Sequence, residues 1–127
     1  MKFMKKETSL LWGALMGGLA VAIGAFGAHA LKPLLIASQR VDTFELAVRY
    51  QFYHALALLA TGLAMGQLES RLLRYSALFF LLGIFLFSGS LLTLCFTGVK
   101  MMGAITPFGG VCFIVGWVLL GLGVYKN

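Results

Sequence analysis

The hydrophobic positions of this chain fall in long uninterrupted runs. They show neither the alternation of a half-buried strand nor the single stripe of a helix on a water-soluble core. Leu10 to Leu31 carries no charged residue over 22 positions. A helix needs about 20 residues to cross about 30 Å of hydrocarbon, so this run is long enough to span a bilayer. Three further apolar stretches follow, separated by polar turns. The pattern predicts helices over about 9–31, 42–66, 73–96 and 107–125. Short turns impose antiparallel neighbours. The expected fold is all-α: an integral membrane bundle of four transmembrane helices, up-down-up-down, in a single domain covering 1–127.

Local signals place the boundaries. Pro33 removes a backbone donor and restricts the residue before it, which predicts that the first helix ends near Lys32. Lys32 to Thr43 then reads as a connector, with Leu34, Leu35 and Ile36 dipping into the interface. Asp42, followed by Glu45, resembles an acidic capping box and predicts a helix start at Asp42. Gly66 to Arg74 and Thr97 to Thr106 read as the remaining turns. Pro107 has no N–H to leave unpaired and suits the first turn of the last helix. Lys2, Lys5 and Lys6, the apolar run and Ala28-His29-Ala30 also fit a cleavable signal peptide. The run exceeds the usual apolar region of about 7–15 residues, so a retained helix is expected. Gly13 and Gly17, Gly24 and Ala28, and Gly62 and Gly66 are small pairs at four-residue spacing, which predict close helix contacts.

Composition agrees with the runs. Hydrophobic residues make up 61% of the chain and charged residues 11%, against about a quarter charged in soluble domains. Mean hydropathy is +0.96. Such a chain lacks the polar groups to cover its surface in water, and lipid is its expected main solvent. The net charge of +6 sits as single cations between apolar segments. These read as topology signals and contacts to anionic lipid. No basic stripe or motif points to nucleic acid. Cys95 and Cys112 have neither CxxC spacing nor a histidine at ligand spacing. They read as two reduced thiols, with a disulfide between them left open. No metal set and no nucleophile–base pair is present, so neither a cofactor nor an enzyme is expected.

Cation counting orients the bundle. Lys2, Lys5, Lys6, Arg71, Arg74 and Lys126 fall on the side of the termini and the second connector; Lys32, Arg40, Arg49 and Lys100 fall on the other. Six against four places both termini in the cytoplasm by the positive-inside rule. An up-and-down course also gathers polar residues at the side of the first and third connectors. His29 arrives there on the first helix. Glu45, Arg49, Tyr50, Gln51 and His54 leave on the second, Ser88 and Ser90 arrive on the third, and Thr106 departs on the fourth, with Lys32 in the connector. His54 is the deepest, about 18 Å along a helix starting at Asp42. Ionisable groups at that depth face the bundle interior and have a partner. Two readings follow: an interhelical hydrogen-bond network that fixes packing, and a polar, proton-linked site. His29 and His54 share a depth and suffice for nothing more specific, such as haem ligation.

Four motifs carry a resemblance across most of the chain: GAFGAHALK over 24–32, YQFYHAL over 50–56, LFSGSL over 86–91 and ITPFGG over 105–110. In this order they resemble the YgdD-like family of small bacterial inner-membrane proteins, a domain of unknown function with a related transmembrane protein in animals. The resemblance implies a four-helix membrane protein with no established activity. It makes His29, Lys32, Tyr50, Gln51, His54, Ser88, Gly89, Thr106, Pro107 and Gly109 the family-typical positions. Leu92, where an aromatic residue is usual, and Phe108, where an aliphatic one is usual, depart from the pattern.

The expected role is non-enzymatic, through helix packing, lipid contact or a protein partner, with a second copy of the chain as an open alternative. The alternative function is a small transporter or permease-like protein with a proton-linked polar site around His54. A four-helix multidrug exporter wants a carboxylate deep in its first helix, and Leu10 to Leu31 has none.

Overall fold

The computed structural model describes residues 3–126; Lys2, one of the cations counted above, lies outside the described residues. The elements in order are α1 (Lys6–Ala28), α2 (Lys32–Ala37), α3 (Val41–Gln67), α4 (Arg71–Gly83), a π-helical segment (Ile84–Gly89), α5 (Ser90–Thr97) and α6 (Met101–Tyr125). Among the described residues there is no strand. From α4 through the π-helical segment to α5 the chain forms one helical run, Arg71–Thr97. This run, α1 and α6 are each long and apolar enough to cross a membrane. The 27 residues of α3 give it a length of about 40 Å. Asp42, Glu45 and Arg49 in its first turns, with Gln51 and His54 beyond, make it less apolar than the other three.

Both prolines act differently from the sequence expectation. α1 ends at Ala28, not near Lys32, because a helical Pro33 has no N–H for the carbonyl four residues back, that of His29. The chain leaves the helix at that point and restarts at once, with Pro33 in the first turn of α2. The expected connector is therefore helical, with Leu35 buried and Leu34 and Ile36 exposed. Pro107 lies inside α6, which starts at Met101 rather than near Pro107. Thr106 holds the turn ahead of it, donating to the Met102 carbonyl at 3.2 Å. Asp42 is not the cap of α3. Arg40 is, with no side-chain cap bond, and Asp42 sits in the first turn, where its charge suits the helix dipole. The left-handed Gly98 (φ 71°) stops α5, a conformation that glycine adopts without strain.

Adjacent long helices run antiparallel, as the contact registers show. Along α1 and α3, Leu10 meets Gly62, Gly13 meets Ala55 and Gly27 meets Phe44. Along α4 and α6, Leu73 meets Gly123 and Phe80 meets Gly116. A Cβ on Gly13 would lie 2.9 Å from the Ala55 carbonyl oxygen, so glycine there sets the helix separation. The main core gathers Met16, Leu58, Phe80, Ile84 and Phe113; a smaller one of Leu35, Phe44 and Cys95 closes the α2 end. Cys95 and Cys112 are free thiols. Large apolar side chains point outward: Leu11 is 69%, Phe108 68% and Ile114 65% exposed. Residues of that size and exposure on several helix faces mark a surface solvated by lipid.

Candidate functional site

The polar residues marked by the sequence separate into distinct places. The deepest is built on α3 around His54, which is buried. The imidazole stacks on Phe113 of α6, with ring centroids 3.5 Å apart and planes 7° from parallel. The Trp117 Nε1–H, one turn further along α6, donates to His54 Nε2 at 3.0 Å. An indole nitrogen only donates, so Nε2 is the accepting nitrogen and Nδ1 carries the proton. Nδ1–H in turn donates to the Tyr50 carbonyl at 2.7 Å. Both ring nitrogens are thereby satisfied in the neutral form. Tyr50 lies half-buried beside them, its ring stacked on Phe87 of the π-helical segment at 4.9 Å. A cleft of about 620 Å³ opens here, with His54, Tyr50, Tyr53, Phe87 and Trp117 in its walls.

Other marked residues tie helices together. Buried Gln51 donates to the Met16 carbonyl of α1 at 3.0 Å. Ser88 donates to the Ala47 carbonyl of α3 at 2.6 Å. Ser90, about 200° further round the helix than Ser88, faces α6 instead and shares a hydrogen bond with Thr106 at 2.7 Å. Ser9 and Ser76, which the sequence reading passed over, do the same, reaching the Leu58 and Gly116 carbonyls at 2.7 Å each. No buried side-chain nitrogen or oxygen among the described residues lacks a partner.

Lys32, Glu45 and Arg49 form a separate place. They line a cleft of about 290 Å³ between the end of α1, α2 and the first turns of α3, over an apolar floor that includes Leu35, Phe44 and Val48. His29 joins neither cleft. It is exposed, and its backbone N–H donates to the Phe26 carbonyl where α1 ends. The single grouping expected at one side of the membrane is thus a buried aromatic–histidine cleft, a set of hydrogen-bonded seams and a charged cleft at the end of α1.

A family model described as a protein of unknown function, DUF423, matches residues 23–110. The chain belongs to the DUF423 family. That matched stretch holds every marked residue, the Lys32–Glu45–Arg49 cleft and the π-helical segment, while Phe113 and Trp117 of the His54 cleft lie beyond it. Relatives are similar over nearly their whole length. The UPF0382 membrane protein of Staphylococcus saprophyticus is 45% identical over 117 residues, 92% of this chain and 96% of the relative. The UPF0382 inner membrane protein YgdD of Escherichia coli is 36% identical over 123 residues, 97% and 93% respectively. No solved structure matches. Membership in DUF423, relatives named as membrane proteins and three bilayer-length apolar helices make this a multi-pass membrane protein.

Trp117 and Phe113 complete the His54 cleft and were not among the residues singled out from sequence. A signal existed. An indole N–H within an apolar run needs an acceptor, and the His54 imidazole, inside a helix, is one. Phe113 and Trp117 are also four apart and share one face of α6.

Proposed function

We propose that this DUF423 protein crosses the inner membrane four times, with both termini in the cytoplasm. It works without catalysis, as a helical scaffold that engages lipid or a protein partner. The fourth span is α3. Its length suffices, it lies between α1 and α4, and the polar side chains beyond its first turns, Gln51 and His54, point inward to partners, which is how membrane helices carry such groups. Six cations on the side of the termini against four on the other support the orientation. Membrane-impermeant labelling of single cysteines, in a chain whose own two are replaced, checks this. Positions 39 and 99 label from outside, and position 69 does not; labelling of 69 from outside overturns the four-span course.

One observation carries the non-catalytic reading: among the described residues the buried polar atoms have partners within the protein, and His54 has one for each nitrogen. A group held this way has no free lone pair or proton to offer a substrate. The transporter reading draws on two features, the open cleft beside His54 and the π-helical segment in its wall, since π-turns recur at functional sites. Reconstituted vesicles with a pH-sensitive dye inside decide between them. Proton flux equal to that of protein-free vesicles is the expected result. Flux in the parent that His54→Ala abolishes overturns the scaffold in favour of the transporter.

A further inference from the structure

We infer that the cleft at the end of α1 and the start of α3 binds a singly anionic phospholipid with a hydroxylated headgroup, of the phosphatidylglycerol type, its phosphate held by Lys32 and Arg49. This deepens the scaffold reading and rests on α3 being a membrane span.

Depth comes first. α1 has no charged residue between Glu7 and Lys32, and α3 has none from Arg49 to its end at Gln67. Lys32 and Arg49 therefore bound the apolar slab on one side, at the level of phosphates. Second, these charges are left over by the protein. Among the described residues no hydrogen bond or ion pair is made by the side chains of Lys32, Glu45 or Arg49. Arg49 and Glu45 are exposed, and Lys32 is half-buried. A charge held at the hydrocarbon boundary needs a counter-charge, and here the bilayer is the source.

Shape agrees with charge. A second cavity of about 290 Å³ runs down the α1–α3 seam, lined by Ala20, Val21 and Phe52. It shares Gly24, Val48 and Arg49 with the charged cleft, so the two form one continuous groove. The upper part is polar and basic; the lower part is apolar and open to the side, the layout of a headgroup above an acyl chain. Gly24 keeps the passage between them clear, because a Cβ there would already lie 3.3 Å from Val48 Cγ1. Two cations and one carboxylate leave the cleft a net single positive charge, which a phosphodiester neutralises. The guanidinium fork and the ammonium hold phosphate oxygens. Glu45, an acceptor only, takes hydrogen bonds from headgroup hydroxyls and repels a second negative charge.

Native mass spectrometry of the detergent-solubilised full chain, titrated with palmitoyl-oleoyl phosphatidylglycerol, phosphatidylethanolamine or phosphatidylcholine, tests this. Phosphatidylglycerol is expected to bind about tenfold or more tightly than either zwitterionic lipid. The double variant Lys32→Ala/Arg49→Gln is expected to lose about thirtyfold, given the contribution of each basic residue near an anionic headgroup. Its melting temperature stays at the parental value, and Lys100→Ala, a cation at the start of α6, binds as the parent does. Equal binding of the three lipids, a preference for phosphatidylethanolamine, or parental binding by a folded double variant each overturns the proposal. The number of spans is read separately by cysteine labelling, so a failure of the four-span course is distinguishable from a failure of the lipid site.

Discussion

The His54 cleft and the charged cleft share α3, yet they treat polarity in opposite ways. At His54, both ring nitrogens find partners inside the chain: the imidazole is held between the Trp117 indole and the Tyr50 carbonyl and stacked on Phe113. At Glu45 and Arg49, nearer the start of α3, and at Lys32 of α2, the charges have no partner among the described residues. On the four-span course proposed above, depth accounts for the difference. An unsatisfied polar group in hydrocarbon costs several kcal/mol, about enough to forbid it, while at the rim water and headgroups supply partners. A residue's distance from the boundary thus separates those that hold the bundle together from those free to engage something outside it. Polar character alone does not.

The walls differ as well, and two glycine substitutions break the comparison most sharply. Behind the His54 cleft, Gly109 of α6 packs against the backbone of the π-helical segment. An added Cβ would lie 2.7 Å from both Phe87 Cα and the Leu86 carbonyl carbon. Backbone within a helix cannot retreat without moving Ser88 off Ala47 and Phe87 off Tyr50. Gly109→Ala is expected to cost about 3 kcal/mol, the upper part of the usual range for overpacking, and to lower the melting temperature in detergent accordingly. Gly24, in the wall of the charged cleft, faces only the Val48 side chain. Val48 can yield by a few tenths of an ångström, and alanine is the better helix former by about 1 kcal/mol. Gly24→Ala is expected to leave stability within about 1 kcal/mol of the parent. Equal losses at the two positions would remove the distinction between a rigid and a yielding wall.

Much of this was legible in the residues themselves. The apolar runs locate every long helix to within a few residues, except where proline intervenes, because a bilayer span needs little more than length and hydropathy to declare itself. Pro33 and Pro107 were harder. A proline disrupts the helix four residues before its own position, and whether the chain breaks there or continues depends on what holds the preceding turn. At Pro107 that support comes from Thr106, bonded to Met102 and to Ser90 on another helix, a contact absent from any local window. The polar residues could be marked as a set because they are conspicuous in an apolar chain. Their division was not legible, because Ser88 and Ser90 sit two apart yet serve different neighbours, and His29 and His54, expected at one depth, lie apart: α1 packs on Ala55 at Gly13 and Gly17 and on Phe44 only at Gly27, so His29 stays at the α2 end while His54 lies deeper, in the core. The π-helical segment left no mark in the hydropathy pattern, since both helix types are apolar there. Trp117 went unnoticed because an indole in a membrane helix reads first as bulk.

That indole gives the smallest and most specific test. Trp117→Phe keeps an aromatic ring against Phe80, a neighbour 5.0 Å away between centroids, and removes one donor. His54 Nε2 then faces the cleft with its lone pair unbonded. The expected loss is about 1 kcal/mol, the size of one interhelical hydrogen bond in a membrane protein. Stability alone does not prove the cause, since any repacking lowers it. The tautomer does. A donor-only indole requires the parental imidazole to hold its proton on Nδ1, which nitrogen NMR of histidine-labelled protein reads directly. In Trp117→Phe the constraint on Nε2 is gone while the Tyr50 carbonyl still selects Nδ1–H, so the tautomer is expected to persist and the Nε2 resonance to shift toward that of an unbonded nitrogen. A parental spectrum with the proton on Nε2 would mean that Trp117 does not donate to His54. The deep cleft would then hold a polar group with capacity to spare, and the contrast with the rim would lose its basis.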